Sequence, residues 1–395
     1  MAATVKGVWD FQDVRDKQLA DIWKEYDDSG DPFELYAWGR NTQGNLGTNN
    51  KTSYSSPAQI PGTNWTRFTG DGYASIASKL DGTLWTWGNN GSYGCLGQNN
   101  LTQYSSPKQI PGSTWLSPII RGDNGGCVKT DGTLWMWGRN DEGTLSQNDR
   151  SNYSSPRQVG TDTTWSTTRG HLALSDMSVI AIKTDGTLWG WGYSRIYGNN
   201  GDGDRINHSS PVQIGSATNW KYVGKSWNGH FAINTNGQLF GWGSNYYGCL
   251  GYPDAPGDSN SGSRSSPVQI PGTTWKSARG SSTSTIGVKT DGTLWSWGAN
   301  TYGQLGINQH DGDFGVDAKS SPVQIPGTTW TDGMAAWGGM VAQKSDGTLW
   351  TWGQNQYGQL GLNDRTHRSS PTQVPGTDWQ QSTTGNSHMM GTKEA

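Results

Sequence analysis

The chain has 395 residues, a formal net charge of −3, 58 glycines and 23 tryptophans, with 31% apolar and 15% charged residues. Glycine at about twice the usual ~7% and so little Leu, Ile and Val exclude a large aliphatic core. Burial must come from tryptophan, which hides roughly 150–250 Å² per side chain. No basic run or tail marks a nucleic-acid partner, and no apolar stretch reaches the ~18 residues of a membrane span. The three cysteines, Cys95, Cys127 and Cys249, give no even framework for disulfides, which fits folding in a reducing cytoplasm.

In chain order, the first element is a helix near "GVWDFQDVRDKQLADIW" (7–23). Asp10 is placed to cap it and Asp13 sits in the first turn, where acids are favoured. An apolar face carries Trp9, Phe11, Val14, Leu19, Ile22 and Trp23, and Gly30 and Pro32 end the element. The stretch has no apolar core of a signal peptide. A helix of ~16 residues is marginal alone, so this face requires a partner: either the flank of its own chain or another subunit. Residues 1–33 are read as a leader or anchor, and 34–395 as the main domain.

From Leu35 onward the chain repeats. "DGTLWTWG" and its variants place a tryptophan at 38, 87, 137, 191, 242, 297 and 352. "SSPxQ[IV]" recurs seven times, and a further tryptophan follows each copy, at 65, 115, 165, 220, 275, 330 and 379. A period near 50 with turn signals inside it means a solenoid or a propeller. Asp-Gly, as at 81–82, signals a two-residue hairpin with φ > 0 at both positions. Residues i and i+2 share a strand face, so Trp85 and Trp87 point one way and Leu84 and Thr86 the other. Proline in SSPxQI suits an edge strand. The unit is therefore four short antiparallel strands.

The ends decide between the two architectures. Sixteen residues separate Trp65 from Asp81, Trp115 from Asp131 and Trp275 from Asp291, and sixteen separate Trp379 from Ala395. "LYAWG" (35–39) has no hairpin partner before it. Each end supplies half a hairpin, and pairing the halves closes a ring without open edges. The fold expected is all-β: a seven-bladed β-propeller of four-stranded antiparallel blades, closed by pairing of the N- and C-terminal strands, with a short N-terminal helix.

The sentence D-G-x-L-W-x-W-G-x-N-x-x-G-x-L-G, as at 81–97, 291–306 and 346–361, resembles the repeat of the regulator of chromosome condensation family of seven-bladed propellers. The third unit departs at Ser146, and the fourth departs more, at "GYSRIYGNNGDGD". The family's founding member exchanges nucleotide on a small GTPase and binds chromatin through a basic tail that this chain lacks. Another relative in this fold inhibits β-lactamase. The resemblance implies the fold and, for function, a protein-binding module such as an inhibitor, scaffold or exchange factor. Residues 7–23 also resemble N-terminal segments of marine bacteriophage structural proteins, tail fibres and appendages among them. That resemblance implies a virion component made in the host cytoplasm, anchored to other virion proteins through residues 1–33, whose propeller displays or adheres to a host surface glycan or protein.

Sites are expected on the rim where loops vary. Tyr73, Trp227 and Trp337 lie in first loops outside the repeat sentence, either binding a partner or plugging the central channel. His230 and His171 belong to the same candidate set, with a hydrogen-bonded turn residue as the plainer reading of His230. Four residues inserted near 170–178 mark the same rim. Long third-to-fourth loops are expected at 198–208, 252–264 and 307–319, and their acids include Asp202, Asp204, Asp311, Asp313 and Asp317. Such loops either hold calcium or form a solvated acidic surface. No catalytic signature is present: no nucleophile elbow, no P-loop, no dinucleotide fingerprint and no paired histidines at metal spacing. The chain is expected to be non-enzymatic.

Overall fold

The computed structural model describes residues 33–253, 262–310 and 318–394. The helix expected over 7–23 and its residues Trp9, Phe11, Val14, Leu19, Ile22 and Trp23 lie outside them, as do Asp254, Asp258, Asp311, Asp313 and Asp317. Among the described residues no helix is long and apolar enough to cross a membrane.

Residues 33–394 form seven four-stranded antiparallel blades. Blade two is typical: Trp65–Asp71, Ala74–Lys79, Leu84–Gly88 and Tyr104–Ile110 run from the centre outward. Blade one is built from both ends of the chain, with Trp379–Thr384 and His388–Glu394 beside Phe33–Gly39 and Tyr54–Gln59. There Phe33 lies opposite Glu394 and Gly39 opposite His388, seven consecutive pairs in register. The closure expected from the sixteen-residue spacing is present. The strand begins at Phe33, whose side chain is buried, so a boundary drawn after residue 33 falls inside the propeller.

The core is seven apolar clusters, one at each seam between neighbouring blades. Between blades two and three, for example, Ile76, Leu84, Leu96 and Ile110 meet Trp115, Ile120 and Trp137. In blade two the inner tryptophan stands edge-on to the first tryptophan of W-x-W-G and tilted on the second: Trp65 is 6.3 Å from Trp85 and 6.0 Å from Trp87. A lysine caps the pair, with Lys79 Nζ 4.5 Å from the Trp65 ring and 4.9 Å from the Trp85 ring.

In six of the seven blades the second tryptophan also crosses the seam, whereas Trp38 Nε1 at the closing seam has no hydrogen-bond partner among the described residues. Trp87 Nε1 donates to Asn45 O at 3.0 Å, Trp137 to Cys95 O at 2.8 Å and Trp352 to Gln304 O at 2.8 Å. Trp191, Trp242 and Trp297 do likewise. The glycine that follows, Gly97 for example, has φ +69°, and a Cβ there would stand 2.8 Å from Trp137 Nε1. Ser146 holds that place in blade three at φ 57°, and Trp191 still donates to Thr144 O.

The Asp-Gly turns differ from the two-residue form. Gly82 N donates to Lys79 O and Lys79 N to Thr83 O, a three-residue connection in which Gly82, and not Asp81, takes positive φ. Asp81 stays in ordinary geometry because its carboxylate accepts from Thr83 N and Thr83 Oγ1. The four-residue insertion also moves. It lies between Trp165 and the shortened strand Leu172–Leu174, where Thr167 O accepts from Arg67 and Ser117, and Thr168–Gly170 line the central channel. The loop at 175–177 keeps ordinary length because the extra residues are absorbed before the strand. Nor is the blade-four outer loop long. It spans 193–207, matching 89–103 in blade two, whereas 244–263 and 299–318 are longer by five residues.

Candidate functional site

The first loop of every blade opens on one rim, and together the seven loops surround a pit of about 560 Å³. Tyr73 comes from blade two, Asp123 from three, Met177 from four, Trp227 from five, Thr283 from six, Trp337 from seven and Asn386 from one. The three aromatic residues singled out by sequence are thus brought together. Trp227 is 46% and Trp337 42% exposed, and both line this pit.

Each is held differently. Trp227 donates its indole N–H to Asp176 Oδ2, and its backbone N–H bonds Ser281 O of the next blade. Tyr73 Oη accepts from Arg40 at 3.0 Å, and the Arg40 guanidinium lies 5.1 Å from the Tyr73 ring and 4.9 Å from the Tyr357 ring.

Beneath the rim is a charge network that no sequence motif announces. Asp71 of blade two meets Arg121 of blade three at 2.5 Å and Lys225 of blade five. Arg121 reaches Asp176 of blade four at 3.1 Å. Burial alone raises the Asp71 carboxyl, but Arg121 and Lys225 outweigh it and hold it below its ordinary value. Burial dominates at Asp176, whose carboxyl is raised, and it lowers Lys225 to about 8. Two acids and two bases sum to no formal charge, so the floor is polar. The bonded pairs stand 50 or more residues apart in sequence, and only the ring brings them to one point.

This is a loop-built pit on a rigid disc, and the disc has known counterparts. Residues 34–70, 81–120, 131–167, 236–286, 291–335 and 346–391 match the regulator of chromosome condensation (RCC1) repeat. The chain belongs to the RCC1 repeat family. The longest interval without a match, 168–235, contains most of the channel insertion and the divergent blade four. Among curated relatives of this RCC1-repeat chain, the ultraviolet-B receptor UVR8 of Arabidopsis thaliana is 30% identical over 198 residues, 48% of this chain and 42% of the receptor. Human E3 ubiquitin-protein ligase HERC2 is 28% identical over 193 residues, 48% of this chain and 4% of the ligase. The chain thus spans less than half the length of either relative. Among solved structures, Prp20p of Saccharomyces cerevisiae superposes with a TM-score of 0.81 at 20% identity, covering 94% of each chain. Human WBSCR16 superposes at 0.75 and 17% identity, covering 92% of this chain and 99% of that one. These structural likenesses carry the propeller fold.

Two sequence candidates fall elsewhere in the RCC1-type ring. His230 is fully buried on the second strand of blade five, 2.9 Å from Ser178 Oγ and tilted on Trp242. It packs into a seam and does not line the pit. His171 precedes the first strand of blade four, at the end away from loop 175–177, with Nε2 2.8 Å from Lys221 O. Asp202 and Asp204 of the blade-four outer loop come together with His208, the first residue of the strand that follows, which no histidine pairing in the sequence marks.

Proposed function

We propose that this RCC1-repeat chain is a non-enzymatic protein-binding propeller whose partner docks on the rim pit through Trp227, Trp337 and Tyr73. One observation carries the reading: two large indoles, each more than two-fifths exposed, face a pit over a neutral, fully engaged ion network. Exposed tryptophan beside arginine is the composition of interface anchors. Asp71 and Asp176 are committed to Arg121, Lys225 and Trp227, which supports a recognition surface over acid–base chemistry. In the same fold, yeast RCC1 (Prp20) is seen bound to Kap60, and Prp20p is described with binding to Gsp1p and histones.

The double variant Trp227→Ala, Trp337→Ala tests this. Proteins captured quantitatively by the full chain from lysate of its source cells should be depleted by about tenfold or more with the variant, at unchanged melting temperature. Equal capture by both proteins rules the pit out.

The resemblance of residues 7–23 to phage structural proteins favours a second reading. In it the chain is a virion component, residues 1–31 attach it to the particle, and the same rim meets a host surface glycan or protein. Removing residues 1–31 should then leave the ring folded and abolish incorporation into particles. Normal incorporation of the shortened chain discards this reading.

A further inference from the structure

In four blades the outer loop carries a pair of residues four apart that ties the loop down. In blade one Asn50 donates to Tyr54 Oη at 2.9 Å, and in blade two Asn100 donates to Tyr104 Oη at 3.2 Å. In blade three Tyr153 donates to Asp149 at 2.7 Å, and in blade seven Arg368 donates to Asp364 at 2.5 Å. Each pair joins a donor to an acceptor. Blade four has Asp204 and His208 in these places, 3.7 Å apart and too far for a hydrogen bond.

A third residue differs as well. Just after the left-handed position of the loop, blades two and three carry Gln98 and Gln147. Their amides donate to the carbonyls of Lys108 and Gln158 at 3.0 and 2.9 Å. Blade four has Asp202 there, a carboxylate that cannot donate. Its side chain is only 6% exposed. A buried acid beside a second acid is unfavourable unless something cationic compensates it.

The atoms are arranged for such a cation. Asp202 Oδ1 accepts from Asp204 N at 3.4 Å and Asp204 Oδ1 from Ile206 N at 2.8 Å, which turns both Oδ2 atoms the other way. Asp202 Oδ2 lies 2.8 Å from His208 Nε2, yet both atoms are buried and neither makes a hydrogen bond. Among the described residues this is the one group of three such side chains whose ligand atoms all fall within 4.8 Å of one another. Ligands on bonds of about 2.1 Å stand roughly 3–3.5 Å apart around one ion, and the two carboxylates here lie 2.8 and 3.7 Å from His208 Nε2, a shift of a few tenths of an ångström from that spacing. An imidazole with two carboxylates favours a borderline transition metal over calcium or magnesium, which take oxygen alone.

We propose that Asp202, Asp204 and His208 bind one divalent transition-metal cation of the zinc, cobalt or manganese class. The ion fixes the blade-four loop against blade five, to which Gly203 is already tied through Ser265 O at 2.9 Å and Ser265 Oγ at 3.1 Å. The exposed side of Asp204 leaves a coordination position for water.

The test uses the full chain, stripped with chelator and titrated with Zn²⁺ or Co²⁺ by calorimetry and by Co²⁺ absorption. One saturable equivalent is expected, with a rise in melting temperature on binding. Losing a mere partner of a ligand costs about 10–100-fold in affinity, so Asp202→Asn and His208→Gln should each cost at least that much. Asp202→Asn places an amide there, as in blades two and three, so without metal it should melt no lower than wild type. Absence of a saturable site leaves an Asp–His ion pair only and overturns the proposal. Equal affinity in wild type and both variants overturns it too.

Discussion

Trp87 shows how much one side chain does in this ring. It packs on Trp65 within its blade and donates across the seam to Asn45 O, so cohesion and direction come from the same group. The count of such tryptophans was legible from sequence, because the repeat prints it at a fixed spacing. Their cross-seam bond was not, since its acceptors are backbone carbonyls of residues as varied as Asn45, Cys95 and Gln304. The ion network of Asp71, Arg121, Asp176 and Lys225 was equally hidden: four blades give one residue each. Two buried histidines set a pH limit. Burial lowers His230 to about 3 and His388 to about 4. Both are neutral in the folded chain, whereas an unfolded imidazole takes a proton below about pH 6.5. Stability is therefore intact above that pH and falls as pH drops from about 6.5 toward 4. Thermal melts across this range should show the decline, and replacing both residues by asparagine should flatten it. An unchanged slope would assign the acid sensitivity to other groups.

At the level of the element, the four-strand unit was readable because the W-x-W-G spacing and the Asp-Gly turns survive in nearly every copy. Details that depend on a bond between neighbours were not. Asp81 avoids positive φ because Thr83 satisfies its carboxylate. The insertion after Trp165 was assigned to the rim by position, but Arg67 and Ser117 capture Thr167 O and draw it into the channel. The candidate rim was legible in part: Tyr73, Trp227 and Trp337 stood out as aromatics outside the repeat, while His230 looked like a loop residue and is seam packing. Blade three offers a local test. Ser146 occupies a left-handed position that glycine fills elsewhere, at a cost of roughly 1–2 kcal/mol for a residue with a Cβ. Ser146→Gly should therefore raise unfolding stability by about 1 kcal/mol in urea titrations, after the entropy that glycine regains in the unfolded chain is subtracted. A lower midpoint would mean that the serine hydroxyl earns its place.

For the whole molecule, closure was the most legible feature and also the most consequential. Seven seams carry seven clusters, and the seam between blades seven and one is packed like the others, with Leu349, Leu360 and Val374 against Trp38, Trp379 and Met389. An unclosed stack would leave two strand edges unpaired. The ladder that shuts the circle runs from Phe33–Glu394 to Gly39–His388, so both extremities of the described chain emerge side by side from one end of it. Tension applied across them would peel that ladder one rung at a time, as a zip opens, instead of loading all rungs together in shear. The disc is thus mechanically weakest where its circle is joined, and a tether on either extremity has a built-in point of release.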